Sequence, residues 1–60
     1  MVVQQFKTLR ELNRFLKETP IDVPQSRLNE IKTRAKKKKP SGFMVWVNPE
    51  GHVVELAIET

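Results

Sequence analysis

Residues 43–58 read FMVWVNPEGHVVELAI, and this stretch determines the architecture. It opens with five apolar residues, Phe43 to Val47, and closes with the alternating segment Val53 to Ile58. The four residues between them, Asn48 to Gly51, are a strong hairpin signal. Asparagine suits the first turn position, proline presets the second, and glycine accepts a left-handed backbone at the fourth. The pattern predicts a β-hairpin with a type I turn and a bulge at Gly51.

The register of this hairpin follows from the bulge, which pairs Trp46 with Val54 and Met44 with Leu56. One face of the hairpin would then carry Met44, Trp46, Val54, Leu56 and Ile58, and the other Phe43, Val45, Val47, Val53, Glu55 and Ala57. A four-residue loop without a bulge would instead pair Val45 with Val54 and Phe43 with Leu56. Under either register the first strand is apolar on both faces, so both faces need cover.

Two helices are predicted upstream of the hairpin. The first begins near Thr8, since Thr8 and Glu11 have the spacing of a capping box, and it ends before Pro20. The second runs from about Ser26, a good N-cap, to about Lys38, where four consecutive lysines should fray its last turn. Their apolar stripes predict core positions at Leu9, Leu12, Phe15 and Leu16, and at Leu28, Ile31 and Ala35. Ile21 and Val23 should tie the connecting loop to that core.

An N-terminal strand is indicated by Val2, Val3 and Phe6. The expected fold is therefore a small α+β domain of β-α-α-β-β order. Two helices would pack on one face of a two- to three-stranded, largely antiparallel sheet that ends in the hairpin. Two short helices cover only one face, so the apolar back of the sheet indicates self-association, for example as a homodimer.

The length and composition describe one small domain, residues 1–60, without cysteine. No disulfide framework or cysteine zinc site is therefore expected, and stability must come from the core or a partner subunit. The N-terminal residues do not resemble a signal peptide, and no apolar run approaches the roughly 20 residues that span a bilayer. A cytoplasmic protein with no membrane partner is the expectation.

The charge is strongly polarised along the chain. Seven of the eleven basic residues fall within residues 27–39, here called the basic segment, which contains one acid, Glu30, and carries a formal +6. Residues 1–26 carry +1 and residues 40–60 carry −3. Such a field attracts polyanions, and the candidate nucleic-acid contacts, to DNA or RNA, are Arg27, Arg34, Lys36, Lys37, Lys38 and Lys39. No Asn or Gln lies on the helix face of these cations to read adenine, although the arginines could read guanine, so weak or shape-dominated specificity is expected. The competing interpretation is a basic face that only keeps the protein in solution.

The sequence contains few side chains that could catalyse a reaction. His52 is the only histidine, and Glu50 or Glu55 would be its only conceivable orienting partner. Neither a nucleophile set nor a spacing of metal ligands is present, and both glycines, Gly42 and Gly51, are explained by turns. A non-enzymatic binding protein is expected, without catalytic or metal residues, cofactor or small-molecule substrate.

The apolar hairpin offers an alternative to nucleic-acid binding. If part of it stays uncovered, Met44, Val45, Trp46 and Val47 are candidate contacts to a protein partner, as in a small inhibitor or adaptor. Trp46 would otherwise anchor the core.

The N-terminal strand followed by two helices resembles the ribbon–helix–helix repressors over roughly residues 1–38. That resemblance, which is one of topology, implies that Gln4 and Gln5 read bases from a strand in the major groove. The C-terminal hairpin is not part of that pattern.

Overall fold

A computed structural model gives the fold of residues 1–59. The elements follow in the order β1 (Val2–Phe6), α1 (Leu9–Glu18), α2 (Gln25–Lys38), β2 (Gly42–Val47) and β3 (Val53–Glu59). The three strands form one antiparallel sheet in the order β1-β2-β3, with β2 in the centre. The predicted β-α-α-β-β fold with two helices is confirmed.

Both helices bury their apolar stripes against one face of the sheet. The core consists of Leu12, Leu16, Leu28, Ile31, Ala35, Phe43, Val45, Val53 and Leu56. Ile21 and Val23 of the connecting loop pack against it, as the sequence predicted. The opposite face of the sheet, here called the open face, is not covered by either helix, and the register places Val3, Gln5, Met44, Trp46 and Ala57 there.

The hairpin turn has the predicted chemistry. The Gly51 N–H donates to the Asn48 carbonyl at 2.9 Å, and the Asn48 N–H donates to the His52 carbonyl at 3.0 Å. Gly51 has a φ of 84°, the left-handed conformation that glycine adopts without strain. The Asn48 side chain also accepts from the His52 N–H at 2.9 Å, which closes the turn further.

Beyond the turn, both predicted registers are wrong. The register shifts between Trp46 and Val47, so Val47 lies opposite Val53 while Trp46 lies opposite Glu55. One extra residue in β3 moves Leu56 to the face of Val45, because a shift of one residue exchanges the two faces of a strand. The helix side of the sheet thus gains Leu56 and Ile58, which the sequence interpretation had placed with Met44.

The helix ends differ in detail from the prediction. The Thr8 hydroxyl accepts from the Glu11 N–H at 3.2 Å, as expected for the cap of α1. Helix α2 begins at Gln25 with Pro24 as its N-cap, one residue before Ser26, and has no side-chain cap. Its last turn is regular rather than frayed, and the chain leaves it through Lys39, which has a φ of 44°.

The structure also departs from the ribbon–helix–helix arrangement, because β1 pairs along its whole length with β2 of the same chain. Among residues 1–59, no helix has the length and apolar character needed to cross a bilayer.

Candidate functional site

The fold separates the charges into two layers. All eleven lysines and arginines lie between Lys7 and Lys39, the segment that contains both helices, together with four of the seven acids. This helix layer, residues 7–39, therefore has a formal charge of +7. The three remaining acids, Glu50, Glu55 and Glu59, lie in the hairpin. One side of the molecule is thus basic, and the strands carry no cation at all.

The two arginines of the basic segment already have acidic partners. Arg34 pairs with Glu30 at 3.3 Å, and Arg27 pairs with Glu55 at 3.4 Å and more distantly with Glu30 at 4.0 Å. The Glu55 carboxylate lies at the outer edge of β3, where it also accepts from the Leu56 N–H at 2.9 Å. Arg27 therefore ties α2 to the sheet. Exposed pairs of this kind contribute about 0–1 kcal/mol each, so phosphates can replace the carboxylates at little cost.

The four consecutive lysines at the end of α2 are exposed and, in the part of the chain that the structure describes, unpaired. Lys36, Lys37, Lys38 and Lys39 are all exposed, and none forms an ion pair within residues 1–59. The first three occupy the last turn of α2, where the helix macrodipole favours cations. Successive helical residues point about 100° apart, so these ammonium groups cover the end of the helix rather than one stripe.

A second set of cations, which the sequence analysis did not select, lies on α1. Arg10, Arg14 and Lys17 line one shallow depression on its outer surface, together with Glu11 and Asn13. Their i, i+4, i+7 spacing was the available signal, since it places side chains on one helix face. The cations are spaced more closely in residues 27–39, and the predicted contacts therefore lay in that segment alone.

A groove between the helices is bordered by one cation from each helix. It is lined by Asn13, Leu16, Lys17, Ile21, Gln25, Leu28 and Lys32. Lys17 of α1 and Lys32 of α2 thus border the same groove, and the amides of Asn13 and Gln25 lie beside them. The basic surface therefore crosses both helices, and it includes polar groups that can donate hydrogen bonds as well as cations.

The candidate partner residues of the hairpin separate into two pairs. Met44 and Trp46 lie on the open face and are partly exposed. Val45 is fully buried and is therefore not available to a partner, and Val47 is partly buried against the core on the helix side of the sheet. Trp46 is not a core residue either, because the core lies on the other side of the sheet.

His52 has a partner that the sequence analysis did not identify. Its Nδ1 lies 3.1 Å from a carboxylate oxygen of Asp22, rather than beside Glu50 or Glu55. The backbone brings the two together, because Asp22 N–H donates to the Val53 carbonyl at 2.8 Å and Val53 N–H donates to the Pro20 carbonyl at 2.9 Å. The pair fastens the interhelical loop to the outer edge of β3. Residues 1–59 contain no cluster of three potential metal ligands.

Comparison with known proteins gives no relative: the chain matches no family model, no curated protein and no solved structure.

Proposed function

We propose that this chain is a small non-enzymatic nucleic-acid-binding protein of the cytoplasm, associated with transcription or its regulation. The observation that carries the proposal is the segregation of all eleven cations into the helix layer. A charge of this density on one side attracts the phosphate backbone and gains free energy from the release of counterions.

The free cations are mostly lysines, which determines the mode of binding. Lysine contacts phosphate as a point charge, whereas arginine recognises guanine or phosphate with its planar fork. The two arginines of the basic segment are paired with Glu30 and Glu55. Binding should therefore follow the shape and charge of the backbone, with weak dependence on sequence. The proposed contacts are the exposed lysines Lys36 to Lys39, with Arg27 and Arg34 beside them and Arg10, Arg14 and Lys17 on α1.

Titration of labelled duplex and single-stranded DNA and RNA, at two or more salt concentrations, tests the proposal. Lys38→Gln should lower the affinity and reduce the slope of log K against log salt by up to about 0.9, the value for one lost phosphate contact. The matched control adds Glu50→Gln, an exposed turn position, so that the double variant has the wild-type net charge. If the location of the charge rather than the net charge determines binding, the double variant should have the same reduced affinity as Lys38→Gln. Recovery of wild-type affinity, or absence of binding at low salt, would contradict the proposal.

A second candidate is a protein-interaction module, which the open face favours. Met44 and Trp46 stand side by side on the central strand without helix cover, and aromatic side chains in such positions dominate protein interfaces. Affinity capture with wild-type protein and Trp46→Ser, in the presence of nuclease, separates the two functions. One protein lost by Trp46→Ser and retained by Lys38→Gln would favour the interaction module.

A further inference from the structure

The two edges of the sheet differ in how they are protected. On the outer edge of β3, Val53 exchanges two backbone hydrogen bonds with the interhelical loop, and Leu56 donates to the Glu55 side chain. Acidic side chains of Glu55 and Glu59 add charge along the same strand. Covering loops and charges are the devices that keep an edge strand from pairing with another chain.

The outer edge of β1 has none of these devices. Residues 1–6 contain no charged side chain and no proline, and Val2 and Val3 are 59% and 46% exposed. No residue of the interhelical loop pairs with it, since the described strand partners of β1 all belong to β2. The β1 edge is exposed and uncharged, whereas the opposite edge of the sheet is protected, and this difference favours pairing of β1 with another strand.

The backbone groups that point outward can be identified from the register. Leu56 N–H is directed away from β2, because it donates to the side chain of Glu55. Its partner Val45 therefore uses its backbone groups toward β1, where it faces Gln4. Alternation along β1 leaves the N–H and C=O groups on either side of Gln4 free at the edge, those of Val3 and Gln5.

We propose that β1 pairs antiparallel with β1 of a second copy, which joins two three-stranded sheets into one six-stranded sheet. The symmetry axis is then perpendicular to the sheet, so each face continues into the same face of the other copy. Odd residues must lie opposite odd ones, and full overlap of Val2–Phe6 places Gln4 opposite itself and Val3 opposite Gln5. Four backbone hydrogen bonds form between Val3 and Gln5 of the two copies.

The distribution of charge favours contact between two β1 edges over contact between two helix layers or two β3 edges. Contact between two helix layers would bring +7 against +7, and contact between two β3 edges would oppose Glu55 and Glu59 with themselves. Contact between two β1 edges brings together residues Val2–Phe6 of each copy, none of which has a charged side chain. Both helix layers then lie on one side, so their mutual repulsion weakens the dimer at low salt. Association should strengthen as salt is added, opposite to nucleic-acid binding, and the two proposals can therefore fail separately.

Sedimentation equilibrium at about 300 mM NaCl tests the dimer, whose mass is twice the 7.0 kDa of the chain. Val3→Pro removes an outward N–H in each copy, and a proline is tolerated on an edge strand where its N–H faced solvent. Two lost hydrogen bonds at about 1 kcal/mol each should raise the dissociation constant about 30-fold. Gln4→Pro is the contrasting variant, since its N–H belongs to the β1–β2 ladder and its loss should lower the melting temperature of the monomer.

A charge exchange at Gln4 gives a second test that does not disturb the backbone. Gln4→Lys and Gln4→Glu each place like charges directly opposite each other and should weaken self-association several-fold. An equimolar mixture of the two should form the heterodimer and recover the association. A wild-type protein that stays monomeric at about 1 mM overturns the proposal. A dimer whose dissociation constant is unchanged in these variants also overturns it. A dimer that is lost only in Trp46→Ser overturns it as well, because the interface would then lie on the open face.

Discussion

At the scale of single residues, Leu56 reports the register of the hairpin. Its side chain is 1% exposed beside Val45, whereas its neighbour Val54 is only partly buried. Leu56→Ala should lower the free energy of unfolding by about 2–5 kcal/mol, because a cavity remains in the core. Val54→Ala should lose less than about 1.5 kcal/mol, and urea unfolding followed by Trp46 fluorescence measures both.

The predicted loss for Leu56→Ala is comparable to the total free energy of unfolding of so small a domain. A 60-residue domain has about 3–9 kcal/mol in all, so Leu56→Ala can unfold it entirely. In that case the circular dichroism spectrum of the variant is already that of an unfolded chain, which agrees with the prediction. Small and similar losses for the two variants would instead favour the register expected from the sequence, which places Val54 and Leu56 together on the face of Met44 and Trp46.

Single residues also show why the register could not be predicted. Phe43 to Val47 is apolar throughout, so neither face of β2 carries a charge that would identify it as the solvent side. The turn fixes the pairing of Asn48 with His52, and the sequence identified that turn. The additional residue in β3 depends on packing with the helices, since it brings Leu56 and Ile58 to the side where Leu12 and Ile31 lie.

At the scale of elements, the C-terminus of α2 contains a strained residue. Lys39 adopts φ 44° and ψ 68°, and its N–H donates to the Ala35 carbonyl to close the helix. A left-handed backbone costs a residue with a Cβ about 1–2 kcal/mol, a cost that glycine avoids.

Lys39→Gly should therefore be more stable than Lys39→Ala by about 1 kcal/mol in urea unfolding. The alanine variant is the matched control, because both substitutions remove the same charge and the same side chain beyond Cβ. Equal stability of the two variants would mean that residue 39 does not hold the left-handed conformation in solution.

The helices and strands themselves follow closely from the sequence. Thr8 and Pro20 delimit α1. The apolar run Phe43 to Val47 predicts one strand and the alternation from Val53 to Ile58 predicts the other, because each of these signals acts over a few neighbouring residues. The beginning of α2 at Gln25 was missed by one residue, since Ser26 is a better side-chain cap than Pro24 by local chemistry alone. The partners of Arg27 and His52 were missed for a different reason. Glu55 and Asp22 lie 28 and 30 residues away, and only the packed fold brings them close.

At the scale of the whole molecule, the layers separate charge as well as polarity. The sequence shows that residues 27–39 are basic, but the local density of lysines does not reveal that Arg10, Arg14 and Lys17 belong to the same side. That conclusion needs the packing of both helices on one face of the sheet, which brings Lys17 and Lys32 to a common groove. The binding surface is therefore a property of the layer rather than of one segment.

This separation has a consequence for stability. Two unit charges about 10 Å apart in water repel by about 0.4 kcal/mol, and the helix layer contains many such pairs among its eleven cations. The opposing ion pairs of Arg27 and Arg34 are exposed and contribute about 0–1 kcal/mol each. Repulsion should therefore outweigh attraction, and salt should screen the larger of the two effects.

The melting temperature should consequently rise by several degrees, about 5 °C, between about 20 and 300 mM NaCl. Thermal unfolding followed by circular dichroism at low protein concentration measures this without a contribution from association. The triple variant Lys36→Gln, Lys37→Gln and Lys38→Gln should have a flatter salt dependence, because it lacks three of the repelling charges while α2 keeps good helix formers. The slope against salt is the readout, since the substitutions also remove favourable contacts with the helix dipole. A melting temperature that falls with salt would mean that the ion pairs tying Arg27 to Glu55 and Arg34 to Glu30 outweigh the repulsion across the helix layer.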